Sequence, residues 1–153
     1  AARRELGGLD ILINNAGIAA HGRFEDADPG RLRQIMEVNF FAPVEFIRAA
    51  LPLLRVGRQP LVVNVGSILG ERGAPHKSEY SASKFALHGF SEAVRPELAR
   101  LGIDVLVVAP GPTESEHFDT LLEDRGELPW GDPRRMPAEE VARVVRAGRY
   151  GRG

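Results

Sequence analysis

Two side chains in this sequence could carry out acid–base chemistry together: Tyr80 and Lys84, which are four positions apart in the segment 79–84. In a helix, residues at this spacing lie one turn apart on the same face. A tyrosine hydroxyl has a pKa of about 10 in water, and a nearby ammonium group favours the phenolate, so we expect Lys84 to lower the pKa of Tyr80. Such a hydroxyl can give or take a proton when a carbonyl and an alcohol interconvert. By itself, the pair is more typical of an aromatic side chain packed in a core beside a solvated lysine.

The composition argues against several other kinds of site. The chain has 153 residues, a formal net charge of -1 and no cysteine, which excludes disulfides, thiolate catalysis and cysteine-ligated metals. The charge gives no support to a nucleic-acid partner or a membrane partner. No apolar run is long enough to span a bilayer, and we predict a cytoplasmic protein. The four histidines lack metal-ligand spacing, so we assign no metal.

The pattern of apolar residues predicts alternating strands and helices. Short apolar runs rich in β-branched residues, without polar alternation, are typical of strands buried on both faces of a parallel sheet. The predicted strands are 9–14, 60–66 and 103–109, and the predicted helices are 28–54, 80–101 and 137–147. This order predicts an α/β fold with helices on both faces of a parallel sheet. Residues 115–136 mix acids, glycine and proline, and we expect a loop with one short helix there.

The first predicted helix contains a proline. Asp28 and Pro29 are a typical N-cap and first helical residue. Pro43 lies further along and has no N–H to donate to the carbonyl of Asn39, four positions earlier. The freed carbonyl either marks a simple kink, which the helix alone favours, or holds a water molecule.

Small or polar residues follow each predicted strand. Asn14–Gly17 end the first strand, Ser67 follows the second, and Pro110–Thr113 follow the third. Open α/β sheets bind ligands at the carboxyl ends of their strands, so these residues could share one site. Taken one at a time, a serine or a small residue after a strand is usually part of a plain turn.

Taken together, these features resemble the short-chain dehydrogenase/reductase (SDR) family, classical type, over nearly the whole chain. The matching residues are Asn14-Asn15-Ala16-Gly17, Asn39, Ser67, Tyr80 with Lys84, and Pro110-Gly111. The resemblance implies a partial doubly wound, Rossmann-like parallel sheet with three strands of the usual seven. It implies NAD or NADP as cofactor, with NADP slightly favoured, and a small-molecule carbonyl or alcohol as substrate. It also implies a homo-oligomer, a dimer or a tetramer, for the full-length protein.

The resemblance also implies a role for each site residue. Tyr80 would be the general acid/base, and Lys84 would lower its pKa and bind the nicotinamide ribose. Ser67 would hold the substrate oxygen, and the main-chain carbonyl of Asn39 would hold a water that relays protons to Lys84. The remaining residues would bind the cofactor: Asn14, Asn15, Ala16 and Gly17 shape its pocket, and Pro110, Gly111 and Thr113 lie against the nicotinamide.

One feature of the family has no match in this sequence. The family opens with a glycine-rich Thr-Gly-x-x-x-Gly-x-Gly turn that carries the cofactor pyrophosphate, and no such turn occurs here. We therefore expect residues 1–153 to be the C-terminal, catalytic part of a single SDR domain and to be inactive alone. The expected activity of the whole domain is NAD(P)-dependent hydride transfer between a carbonyl and a secondary alcohol. The alternative is a truncated, non-catalytic fragment that acts only in binding or dimerisation.

Overall fold

The structure, a computed structural model, describes residues 5, 7–114, 122 and 134–150. In this part of the chain the strands are β1 (Ile11–Asn14), β2 (Leu61–Val65) and β3 (Asp104–Val108). They form one parallel sheet in the order β1-β2-β3. The α-helices are α1 (Arg31–Met36), α2 (Ala42–Leu54), α3 (Ser78–Ala99) and α4 (Ala138–Tyr150). The α/β fold and the parallel sheet are thus confirmed, while most of the predicted loop at 115–136 lies outside the described residues.

Helices cover both faces of this sheet, as predicted. On one face, the β2 and β3 side chains Val62 and Val105 pack with α2 and α3 through Ile47, Leu54 and Leu98. On the other face, Val63 and Val108 pack against α4, whose Val141 and Val145 are partly buried there. Alternate side chains of one strand therefore enter two separate cores, which explains why the strands lack polar alternation.

The strand β1 departs from its predicted burial. It was expected to be buried on both faces over 9–14, but it begins at Ile11, and Ile13 is 51% exposed. In the described sheet β1 is an edge strand, and α4 packs against β3 at the opposite edge. The face that carries Ile13 therefore has less cover than the central strand β2 has.

The first predicted helix begins later than expected and is not α-helical throughout. The carboxylate of Asp28 accepts the N–H of Gly30 at 2.7 Å, which forms a turn, and α1 starts only at Arg31. A π-helical turn, Glu37–Phe41, then joins α1 to α2. Pro43 supplies the physical reason, because it cannot donate to the carbonyl four positions back and an α-helical ladder cannot continue through it.

The helix α3 carries the Tyr80 segment. It runs from Ser78 to Ala99, two residues earlier at each end than predicted. The chain leaves it through Gly102, whose φ of +72° favours glycine, as expected for a residue just past a helix end. No helix in the described part of the chain is long and apolar enough to cross a membrane.

Candidate active site

The predicted site residues meet at the carboxyl end of the sheet, because the carboxyl ends of parallel strands all lie on the same side. Two main-chain hydrogen bonds fix the turn after β2 against the end of β3. The N–H of Gly66 donates to Val108 O at 2.8 Å, and the N–H of Ile68 donates to Pro110 O at 3.0 Å. Ser67 lies between these two bonds, so its backbone is held on both sides.

The side chains of Ser67 and Tyr80 are joined by a hydrogen bond. The Ser67 hydroxyl also accepts the N–H of Leu69 at 3.1 Å, which fixes the orientation of the oxygen. Burial raises the pKa of Tyr80 above its usual 10, and the bond to Ser67 offsets this only in part. Our prediction that this pKa would be lowered is therefore wrong for this structure, because desolvation of the phenolate outweighs the favourable interactions.

Lys84 lies one helical turn after Tyr80 and is almost fully buried, at 4% exposure. Its Nζ donates to the carbonyl of Val65 at 3.0 Å and lies 5.6 Å from the centre of the Tyr80 ring. Burial lowers the pKa of Lys84 to about 8, because the charged ammonium is desolvated. At pH 7 the side chain is still mainly protonated, so the site carries a cation beside the tyrosine.

The side chain of Asn39 joins the segment after β1 to α3. Its Oδ1 accepts the N–H of Ile18 at 2.8 Å, and its Nδ2 donates to Ile18 O at 2.9 Å and to Ser83 Oγ at 3.0 Å. Ser83 in turn donates to the carbonyl of Tyr80 at 2.7 Å. The side chain thus holds the tyrosine turn and the β1 segment together. The role predicted for its main-chain carbonyl stays a prediction.

A second chain of hydrogen bonds braces the sheet against α3. Asn14 Nδ2 donates to Asn64 Oδ1 at 2.8 Å, and Asn64 Nδ2 donates to Ser91 Oγ at 2.8 Å. Ser91 donates to the carbonyl of Leu87 at 2.6 Å. All of these groups are buried, so each bond stabilises a polar atom that water cannot reach.

The other predicted cofactor residues also lie at the carboxyl end of the sheet. Asn15 and Ala16 are exposed after β1, and a Cβ atom on Gly17 would lie 3.7 Å from Lys84 Nζ. After β3, the hydroxyl of Thr113 donates to the carbonyl of Gly111 at 2.9 Å. Among the described residues, no group of three His, Cys, Asp or Glu side chains could hold a metal ion.

Sequence reasoning missed several residues that support this site. A buried ion pair joins Arg31, at the start of α1, to Glu79, directly before Tyr80. The two residues are 48 positions apart, so no local pattern indicated the pair. The α3 side chains Ser83, His88 and Ser91 were also missed, although their spacing from Tyr80 and Lys84 places them on one helical face.

The fold and the site define an α/β protein in which a serine follows the central parallel strand, and a tyrosine and a lysine on the helix α3 lie at the carboxyl end of that strand. A family model described as short chain dehydrogenase matches residues 1–126. The chain therefore belongs to the short-chain dehydrogenase family, as its motifs predicted.

This chain covers only part of the length of the relatives that it matches. Over 129 residues it is 36% identical to retinol dehydrogenase 8 of Bos taurus, a match that takes in 83% of this chain and 41% of that protein. Over 107 residues it is 42% identical to 3-ketodihydrosphingosine reductase of Bacteroides thetaiotaomicron, with 70% of this chain and 40% of that protein covered. The chain thus spans about two fifths of the length of these relatives.

Solved structures show the same Rossmann-type fold. A short chain dehydrogenase from Burkholderia cenocepacia in complex with NADP matches 99% of this chain and 60% of its own, with a TM-score of 0.82 and 31% identity. The 3-ketoacyl-(acyl-carrier-protein) reductase of Brucella melitensis, complexed with NADH, matches 95% of this chain and 62% of its own, with a TM-score of 0.81 and 26% identity.

Proposed function

We propose that residues 1–153 form the catalytic part of an SDR domain that transfers hydride between a nicotinamide cofactor and a carbonyl or secondary alcohol. The observation that carries this proposal is the arrangement of Ser67, Tyr80 and Lys84, with Tyr80 bonded to Ser67 and Lys84 buried beside the tyrosine ring. Relatives named for an alcohol and for a 3-keto compound support the same chemistry.

Tyr80 is the proposed general acid/base. In the reduction direction its neutral hydroxyl donates a proton to the carbonyl oxygen while the carbon accepts a hydride. The raised pKa of Tyr80 keeps this hydroxyl protonated at neutral pH, which suits a proton donor. In the oxidation direction the same oxygen takes the proton from the alcohol. Ser67, which is bonded to Tyr80, would hold the substrate oxygen between the two hydroxyls.

The residues at the carboxyl end of the sheet fit the nicotinamide half of a dinucleotide. When bound, the nicotinamide ring would supply or accept the hydride. The Lys84 ammonium is a donor for ribose hydroxyls, and Gly17 brings the backbone close to it. Pro110, Gly111 and Thr113, after β3, would lie against the nicotinamide and its carboxamide. Residues for the pyrophosphate are not assigned in this chain, and we favour NADP over NAD.

The decisive test is Tyr80→Phe in the full-length protein, assayed with NADPH and NADH against a panel of ketones and aldehydes. The ring packing is kept and the proton donor is lost, so kcat should fall by roughly two to four orders of magnitude. Binding of the cofactor should change little. Tyr150→Phe, at the other tyrosine of the chain, is the matched control. Near-normal turnover in the Tyr80→Phe variant would refute the assigned role.

A further inference from the structure

We propose that His88 is a positioning residue: as a neutral imidazole it fixes the turn that carries Ser67, and its protonation releases that turn. The kinetic part of this inference rests on the proposed function, whereas its structural part does not.

Three turns of α3 reach the end of β2 in succession. Tyr80, Lys84 and His88 are spaced by four residues, so they lie on one face of the helix. Tyr80 bonds the Ser67 side chain, and Lys84 Nζ donates to the carbonyl of Val65. His88 completes the series, because its Nε2 accepts the backbone N–H of Ser67 at 3.4 Å.

The imidazole ring fills space that two glycines leave open. A Cβ atom on Gly66 would lie 2.0 Å from Nε2 of His88, and one on Gly70 would lie 2.7 Å from it. Both distances are well below any real contact of a Cβ atom, so alanine at either position would displace the ring or the turn. Ser67 thus lies on a turn whose backbone is packed directly against His88.

The hydrogen bond from Ser67 requires His88 to be uncharged at Nε2. An imidazolium carries protons on both nitrogens and accepts no hydrogen bond. Burial lowers the pKa of His88, Glu71 and Glu92 raise it, and Lys84 lowers it. Arg95 is the other charged group in the small cavity beside the ring, which Val107 and Ala109 also line. The net effect lowers the pKa of His88 from its usual value, which favours the neutral ring.

The kinetic test is a pH profile of carbonyl reduction by the full-length protein. In this direction Tyr80 acts in its protonated form, so its own titration causes no loss of activity at low pH. Wild-type kcat should fall on the acid side as His88 is protonated. His88→Gln keeps an acceptor that does not titrate and should remove this acid limb. His88→Leu has no acceptor, and its kcat should be lowered roughly 2- to 12-fold at all pH values.

A second pair of variants tests the assignment of the acid limb to His88. Glu92→Gln removes a carboxylate that raises the pKa of His88, so the limb should move to lower pH. Glu97→Gln removes another exposed carboxylate of α3 that does not shift the pKa of His88, and the limb should stay in place. An acid limb that persists in His88→Gln, or moves equally in both glutamate variants, overturns the proposal.

An NMR experiment separates this inference from the proposed function. In 15N-labelled protein, His88 should carry its proton on Nδ1, and the Ser67 amide signal should shift with the titration of His88. A proton on Nε2 of His88 at neutral pH, or a Ser67 amide signal that does not shift as His88 titrates, refutes the positioning role whether or not the protein has activity. If wild type reduces no carbonyl while both NMR results hold, the proposed function fails and the structural role of His88 stands.

Discussion

At the scale of single residues, the proposed chemistry depends on two ionisable groups that burial pushes in opposite directions. The pKa of Tyr80 is raised and that of Lys84 is lowered to about 8, so the environment favours the neutral form of each. A neutral tyrosine is the form that donates a proton, which favours carbonyl reduction. The lysine remains charged at pH 7 and loses its proton only in mildly alkaline solution.

The lowered pKa of Lys84 predicts how stability varies with pH. In the unfolded chain this pKa returns to about 10.5, so between pH 8 and 10.5 the unfolded state binds more protons. The free energy of unfolding should therefore rise with pH over this window, by at most about 1.4 kcal/mol per pH unit. The raised pKa of Tyr80 has the opposite effect, but only above pH 10. Urea unfolding from pH 8 to 10, at low protein concentration, measures the rise.

Two variants identify the residue responsible for this rise. Lys84→Met keeps an apolar stem and removes the titrating group, so its stability should be nearly constant from pH 8 to 10. Arg100→Met removes an exposed cation just past α3 and should keep the wild-type rise. A rise that survives in Lys84→Met would assign the lowered pKa to a different group.

The site residues show what sequence can predict at this scale and what it cannot. The Tyr80 and Lys84 pair was predictable, because four-residue spacing in a helix dictates a shared face. The direction of the tyrosine pKa was not, because it depends on burial, which arises only when the chain folds. His88 was missed for the same reason: its partner, the N–H of Ser67, is 21 positions away.

At the scale of elements, the π-helical turn Glu37–Phe41 places Asn39 where its side chain can form hydrogen bonds with the main chain of Ile18. Pro43→Ala restores an N–H four positions after Asn39, so a regular α-turn could form there. The Asn39 side chain should then rotate away from Ile18, and activity should fall although the melting temperature does not. The gain in stability should be well below the ~3 kcal/mol cost of an interior proline, since Pro43 lies in the first turn of α2.

Pro52 provides the control for this experiment. It lies inside α2, is exposed, and is far along the helix from Asn39. Pro52→Ala should raise the melting temperature without changing activity. A Pro43→Ala variant that is both more stable and fully active would show that the π-turn is a simple kink with no role in activity.

The first turn of α3 is held by the buried ion pair between Arg31 and Glu79. Glu79→Gln removes the charge that matches Arg31, and breaking a buried pair in this way typically costs about 3–5 kcal/mol. Glu45→Gln is the matched control, because the Glu45–Arg48 pair is exposed, at 65% and 67%. That variant should change stability by less than about 0.5 kcal/mol. Equal effects in urea unfolding would show that the buried pair has no special role.

Sequence patterns predicted the strands and helices better than they predicted where α1 begins and how the helices contact one another. The three strands were predicted because each is a short β-branched apolar run, and their ends were correct within one or two residues. The start of α1 was wrong, because Asp28 bonds Gly30 within a turn and so resembles an N-cap in sequence alone. The pairing of Arg31 with Glu79 depends on how α1 lies across α3, which no local periodicity encodes.

At the scale of the whole molecule, the described sheet exposes an apolar edge strand. β1 has β2 on one side, and the side chain of Ile13 is half exposed. Unpaired N–H and C=O groups beside apolar side chains favour pairing with another chain. The 153-residue chain, expressed by itself, should therefore associate through β1, and the same exposed strand would pair within a larger sheet in the proposed full SDR domain.

Substitution of Ile13 by lysine tests this prediction, because a charge on an edge strand disfavours strand pairing. Ile13→Lys should shift the 153-residue chain towards monomer in analytical ultracentrifugation across a concentration series. Val56→Lys makes the same kind of change at an apolar side chain that is 65% exposed and lies outside the strands, and it should leave the association unchanged. If both lysine variants dissociate the chain equally, the effect does not depend on where the lysine lies, and the β1 edge is not the interface. A wild-type chain that is monomeric at every concentration would contradict the prediction outright.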